Sequence, residues 1–180
     1  YKGGMSGILG GSYSYILSTM YINYFSKLFP VVTAEAHCDI PCRIYDPTAA
    51  KLAAKTVARM VMQIEELKVP DVSDVEAVAA YTNGIARRVA AKEQHAELCK
   101  RELVVLWGDF FKPEHLKEYP DLHDMFWSTI KLAGKNKHTV DAQLANELCE
   151  KVDAIAKVFY DAKKAPEKFE AYKVVTEKLW

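Results

Sequence analysis

The sequence lacks a surplus of charge of either sign: its 180 residues carry 24 Lys and Arg against 24 Asp and Glu. Such a balance leaves no electrostatic footprint for nucleic acid or an anionic membrane as the main partner. Internal repeats and low-complexity tracts are also missing, which argues against a solenoid or a biased linker. Strand signals are almost absent, so the expected fold class is all-α. Cysteine is scarce, with only Cys38, Cys42, Cys99 and Cys149. Two disulfides can be drawn from four cysteines, but the chain is long and helical, not a small loop-rich scaffold.

Charge disappears altogether between residues 3 and 26, a stretch rich in Tyr, Ser, Gly and Ile. Lys2 precedes it, and Lys27, Pro30 and Ala34-Glu35-Ala36 come after it. The A-x-A form reads as a cleavage site, so residues 1–36 are expected to be a leader removed before His37. A leader of this kind addresses export or an organelle, with the cytoplasm as the alternative. Gly10-Gly11, Asn23 and the many Ser and Tyr make a poor membrane-spanning face, so no stable membrane association is expected of the mature form.

The chain is half hydrophobic overall, and beyond residue 36 it is patterned for helices. Asp46-Pro47 opens the first, with Asp as cap and Pro at the first helical position. Ala53, Val57, Met60, Ile64 and Leu67 form its apolar stripe, and Pro70 ends it. Ser73-Asp74-Val75-Glu76 has the form of a capping box. A long helix over 74–111 then carries Val78, Thr82, Ile85, Val89, Lys92, Ala96, Cys99, Leu103, Leu106 and Phe110, with Gly84 as its weak point. Only Lys92 is out of character there. Pro113 begins a short helical turn. Pro120 begins a helix to Gly134 along Leu122, Phe126, Ile130 and Ala133. Thr139 caps the last large helix, with Leu144, Leu148, Val152, Ile155 and Phe159 inside. Four long helices with short links predict a four-helix bundle over 37–165. Residues 166–180 read as an amphipathic extension, either docked through Phe169, Tyr172 and Leu179 or loose. Cys99 and Cys149 fall in apolar seams and read as small buried hydrophobes.

The chemistry concentrates in residues 37–47, HCDIPCRIYDP. Cleavage after Ala36 frees the His37 amine. That amine, the His37–Cys38 amide nitrogen and the Cys38 thiolate then close two adjacent five-membered chelate rings in one plane. Cys42 adds a second thiolate, and the His37 imidazole reaches the metal from above. A deprotonated amide in a square plane suits Ni(II) or Cu(II) among the common ions. Zinc prefers a tetrahedron of side chains, which adjacent residues supply poorly. Two thiolates and an anionic amide push charge onto the metal and favour one-electron redox work. Pro41 restrains the loop between the cysteines. Read without context, the same C-x3-C beside a His also fits a disulfide or half of a zinc site completed by His95 and Cys99. Either would make the protein a stapled helical interaction module.

HCDIPCRIYDP resembles the nickel-hook motif of nickel-containing superoxide dismutases, H-C-D-x-P-C-G-x-Y-D-P. EQHAEL, VLWGDFFKPEHLKEYPDLH and KVFYDAKKA are similar to segments of the same family in the same order. The resemblance implies an all-α four-helix bundle with an amino-terminal metal-binding hook, assembled as a homohexamer that orders the hook between subunits. It implies dismutation of superoxide to dioxygen and hydrogen peroxide by Ni(II)/Ni(III) cycling, with one nickel ion per chain. Its implied ligands are His37, Cys38 and Cys42, with Asp39 and Tyr45 shaping the substrate pocket and Pro41 as the hook proline. Trp107, Asp109 and Lys112 match a W-x-D-x-F-K segment beside the site. The chain departs from the pattern at Arg43 for the hook Gly and at Phe110 for a Tyr. Ala53 and His95 stand where a Glu and an Arg orient the axial imidazole. His95 either takes over the orienting hydrogen bond to the His37 ring or merely packs on the helix surface.

Overall fold

The computed structural model describes residues 44–179. His37, Cys38, Asp39, Pro41, Cys42 and Arg43 lie outside the described residues, as does the expected leader. The described residues form helices α1 (Thr48–Glu65), α2 (Val75–Val105), α3 (His115–Glu118), α4 (Leu122–His138), α5 (Ala142–Ala162) and α6 (Glu167–Glu177). One π-helical turn, Leu106–Phe110, continues α2. No strand occurs among the described residues, and none of their helices is long and apolar enough to cross a membrane.

The four long helices form a closed ring of neighbours: α1 packs on α2, α2 on α4, α4 on α5, and α5 returns to α1. This is the expected four-helix bundle. The seam of α1 differs from the expected one. Its buried face is Ala50, Ala53, Ala54, Val57, Ala58 and Val61, while Met60 and Ile64 are only half-buried. Alanine is the best helix former and admits close helix approach. It also carries little hydrophobic signal, so a reading by bulky residues drifts to the wrong side. The helix stops at Glu65, short of Leu67 and Pro70.

One expected cap holds its position and two are displaced by neighbouring aspartates. At α1 the carboxylate of Asp46 accepts the Thr48 N–H at 2.8 Å, so Asp46 does cap this end. At α2 the cap is Asp74, which accepts from the Ala77 N–H at 3.0 Å. Ser73 instead gives its N–H and hydroxyl to Asp71, at 2.9 and 2.8 Å. At α5 the cap is Asp141, accepting from Leu144 at 3.0 Å, while the Thr139 hydroxyl donates back to Lys135 at 3.2 Å. In each of the last two cases an aspartate one or two positions on displaces the hydroxyl residue, because a carboxylate both accepts the bond and meets the helix dipole.

The irregularity in α2 is not at Gly84, which stays helical. It falls at the end, where the Phe111 N–H reaches the Leu106 carbonyl at 3.2 Å, five residues back. The carboxyl half of α2 is fully packed at Lys92, Ala96, Cys99 and Leu103, as is Leu106 in the π turn, whereas Val78, Ile85 and Val89 are half-buried and Thr82 is exposed. Helix α4 runs on past Gly134 to His138, with Thr129, Leu132 and Asn136 buried beside Leu122, Phe126 and Ala133. The seam of α5 is Leu148, Val152, Ile155 and Phe159, as expected. The extension docks: α6 lies on α1 and α5, with Tyr172 and Thr176 buried and Phe169 packed against the main core. Leu179 stays exposed.

Candidate metal centre

Among the described residues, Tyr45 and Asp46 lie just before α1 and contact the end of the bundle. The Tyr45 ring meets Phe110 edge-on, with centroids 6.1 Å apart. Its carbonyl accepts a hydrogen bond from the Lys163 ammonium at 3.0 Å. Lys163 also stands over the rings of Phe159, at 4.7 Å, and Phe110, at 6.0 Å. The Asp46 carboxylate takes a bond from the Tyr160 hydroxyl at 2.9 Å. Hook root, π turn and the end of α5 thus converge at one end of the bundle. The π turn makes this possible. An extra residue in the helical turn re-aims the side chains beyond it, and single π turns recur at functional sites. Phe110 faces Tyr45 and lies tilted against Phe159, with centroids 4.4 Å apart.

The structure brings some of the expected site residues together and separates others. Trp107 lies on the π turn but faces α4, against Phe126 at 5.2 Å and His123 at 5.7 Å. Asp109 and Lys112 are exposed beside it, and the Lys112 N–H donates to His115 Nδ1 at 3.0 Å. His95 is twelve residues before Trp107 on one helix, about 18 Å along its axis. Its Nδ1 donates to the Ala91 carbonyl at 2.8 Å, since a carbonyl only accepts, and this leaves Nε2 as the atom that can serve another group. Ala53 is fully enclosed in the main core cluster, so the position is closed to water as well as lacking a carboxylate.

Two site contacts were not read from the sequence. Lys163 and Tyr160 both belong to KVFYDAKKA, a segment whose likeness to the family was visible, but nothing in their spacing tied them to residues 45 and 46.

The donor set can be tested against a metal directly. Cys99 is wholly buried, and burial pushes its thiol up to about 12, with the nearby Cys149 adding to the effect. Burial likewise raises Cys149. Both are free thiols, and among the described residues no three His, Cys, Asp or Glu side chains gather as a metal site. The hook donors are of another kind. His37, Cys38 and Cys42 offer an amine, an imidazole, an amide and two thiolates within six residues, a set that fits nickel.

Comparison with known proteins agrees. The sequence profile of nickel-containing superoxide dismutases matches residues 32–163, which takes in the hook and all four long helices. The superoxide dismutases [Ni] of Streptomyces coelicolor and Streptomyces seoulensis are each 35% identical over 141 residues, covering 78% of this chain and 98% of theirs. A solved structure of native nickel superoxide dismutase superposes with a TM-score of 0.62 at 32% identity, covering 72% of this chain and all of that one. A crystal structure with nickel ligation of the oxidised state gives 0.61 at the same identity and coverage. The chain belongs to the nickel-containing superoxide dismutases, oxidoreductases that act on superoxide with nickel.

Proposed function

We propose that the nickel of this superoxide dismutase is held by His37 through its amine and imidazole, by Cys38 through its amide nitrogen and thiolate, and by Cys42 through its thiolate. Removal of residues 1–36 is then a condition of activity, because only a free amino terminus supplies the amine. When bound, nickel supplies one-electron chemistry between Ni(II) and Ni(III): one superoxide is oxidised to dioxygen, and a second is reduced, with two protons, to hydrogen peroxide.

The remaining roles fall to side chains. Pro41 limits the conformations of the loop between the two cysteines. Asp39 and Tyr45 shape the pocket and order the water that carries protons. Tyr45 can do so because its backbone is tied down by Lys163 and its ring is seated on Phe110. The Lys163 ammonium and Arg43 put positive charge near the approach of an anionic substrate, which raises its local concentration. His95 offers Nε2 to the His37 imidazole. The enzyme works as a homohexamer, in which neighbouring subunits pack on the hook, and the leader addresses export or an organelle.

The observation that carries this reading is the seat of Tyr45 against Phe110 and Lys163. It places the residue just beyond the hook directly on the segment the family shares. The test is metal analysis of chains beginning at His37. The parent is expected to hold one nickel per chain and to dismutate superoxide. Cys38→Ser and Cys42→Ser are expected to lose both, since a hydroxyl neither ionises readily nor donates charge as a thiolate does. Full nickel content in both variants would overturn the ligand set.

A further inference from the structure

The family match ends at residue 163, and α6 lies wholly beyond it. We infer that α6 is a positioning element for the active site: Tyr172 seals Tyr160, and Tyr160 holds Asp46 at the root of the hook.

Helix α6 is fixed to the bundle by one carboxylate. Asp153 on α5 accepts from the Tyr172 hydroxyl at 2.9 Å, from Lys173 at 3.0 Å and from Lys51 on α1 at 2.8 Å. Lys51 is itself buried and also donates to the Cys149 carbonyl at 3.0 Å. At the far end, Lys55 of α1 reaches the Glu177 carbonyl at 3.4 Å. Phe169 stacks on Tyr172 at 5.8 Å, which holds the Tyr172 ring in place.

That ring lies 5.9 Å from the ring of Tyr160, and Phe159 closes another side at 5.2 Å. Tyr160 is left 5% exposed. Its hydroxyl donates to one oxygen of Asp46, and the other oxygen of Asp46 accepts the Thr48 N–H. A hydrogen bond to a carboxylate is stronger where water is excluded. Without α6 the face of Tyr160 toward Tyr172 opens to solvent, and water competes for Asp46. Thr48 has no helical carbonyl partner, being in the first turn of α1, so its amide reports the state of Asp46. Tyr45 is the residue before Asp46, so this bond is one anchor of that segment beside Lys163 and Phe110.

This inference rests on the reading that the hook works from the amino end of α1, but its first readout does not need metal. Amide hydrogen exchange is measured on the metal-free full chain and on its Tyr172→Ala and Tyr172→Phe variants. Tyr172→Ala is expected to speed exchange at Thr48 at least about tenfold while core amides such as Cys99 and Val152 stay at the parent rate. Tyr172→Phe, which keeps the ring, is expected to stay within about threefold of the parent. Tyr160→Phe, which keeps packing but removes the bond to Asp46, is expected to speed Thr48 as Tyr172→Ala does, and it serves where Tyr172→Ala does not fold. In the nickel-loaded mature enzyme, Tyr160→Phe is expected to lower kcat with nickel content unchanged. Unaltered Thr48 exchange in a folded Tyr172→Ala or in Tyr160→Phe, or an equal rise across the core, would overturn the inference. Altered exchange without any nickel at the hook would leave it standing and refute the ligand assignment instead.

Discussion

Lys92 donates to the backbone carbonyl of Asn136 at 2.6 Å, in the interior of the bundle. A second bond reaches the Lys137 carbonyl at 2.9 Å, so one ammonium from α2 closes the carboxyl end of α4. Those carbonyls are among the four that a helix leaves without partners, and a cation there also meets the negative end of the helix dipole. The charge that interrupts the apolar stripe is thus a cap for a helix end at Asn136, 44 residues further on.

Lys92→Met is expected to destabilise the fold by about 1–3 kcal/mol, because a buried and a part-buried carbonyl lose their donor. Burial, opposed by Glu93, lowers the Lys92 pKa from 10.5. The unfolded chain therefore holds this proton to higher pH than the folded one, and folding is relieved of a buried charge as pH rises toward 10.5. Denaturant titrations at neutral pH and in the alkaline window should show the parent gaining on the variant as pH approaches 10.5 from below. A difference that is flat across that window contradicts this account.

Asp153 behaves in the opposite sense. Burial pulls its pKa up, but the bonds from Lys51, Lys173 and Tyr172 outweigh that and hold it below 3.8. Its contribution is fully present above 3.8 and is lost as pH falls through the lower folded value. Helix α6 is expected to undock before the bundle melts on acidification. Exchange at Tyr172 and Thr176 should rise first, and Asp153→Asn should show the same selective loosening at neutral pH.

Cys99→Ser and Cys149→Ser are expected to keep nickel and activity. Cys99→Ser should lose about 1–3 kcal/mol of stability through burial of a hydroxyl. The Cys99 thiol should react with a thiol reagent only after unfolding, which also protects it from the peroxide the enzyme makes. Loss of metal in Cys99→Ser would revive a zinc site with His95.

His95→Ala is expected to keep nickel and lose on the order of 10–100-fold in rate, the usual cost of removing a group that orients a ligand. Electron spin resonance of the oxidised enzyme should show altered nitrogen hyperfine splitting. An unchanged spectrum at full rate would mean that His95 serves only its own helix, through Ala91.

Much of the architecture was legible because helix periodicity and Pro or Gly punctuation are local. The helices and the α5 seam came directly from that pattern. The alanine seam of α1 did not, since Ala50, Ala54 and Ala58 look neutral until a neighbour covers them. The π turn at Leu106–Phe110 was hidden because α and π turns draw on the same residues, and the choice is made by what Phe110 packs against. Lys92 stood out as an anomaly, but its partners are backbone carbonyls, which no sequence pattern marks. The family was legible in HCDIPCRIYDP through its resemblance to the nickel-hook motif, while the expected ligands His37, Cys38 and Cys42 lie outside the described residues. Lys163 and Tyr160 reach residues 45 and 46 through the fold, from 118 and 114 positions away in the chain.

The central claim is that His37 must be the amino terminus. Two mature chains decide it, one beginning at His37 and one retaining Ala36, each loaded with nickel under the same conditions. The account predicts one nickel per chain and superoxide dismutation in the first, and no dismutation in the second, whose His37 nitrogen is an amide. Full activity in a nickel-loaded chain with the Ala36–His37 bond intact would contradict it.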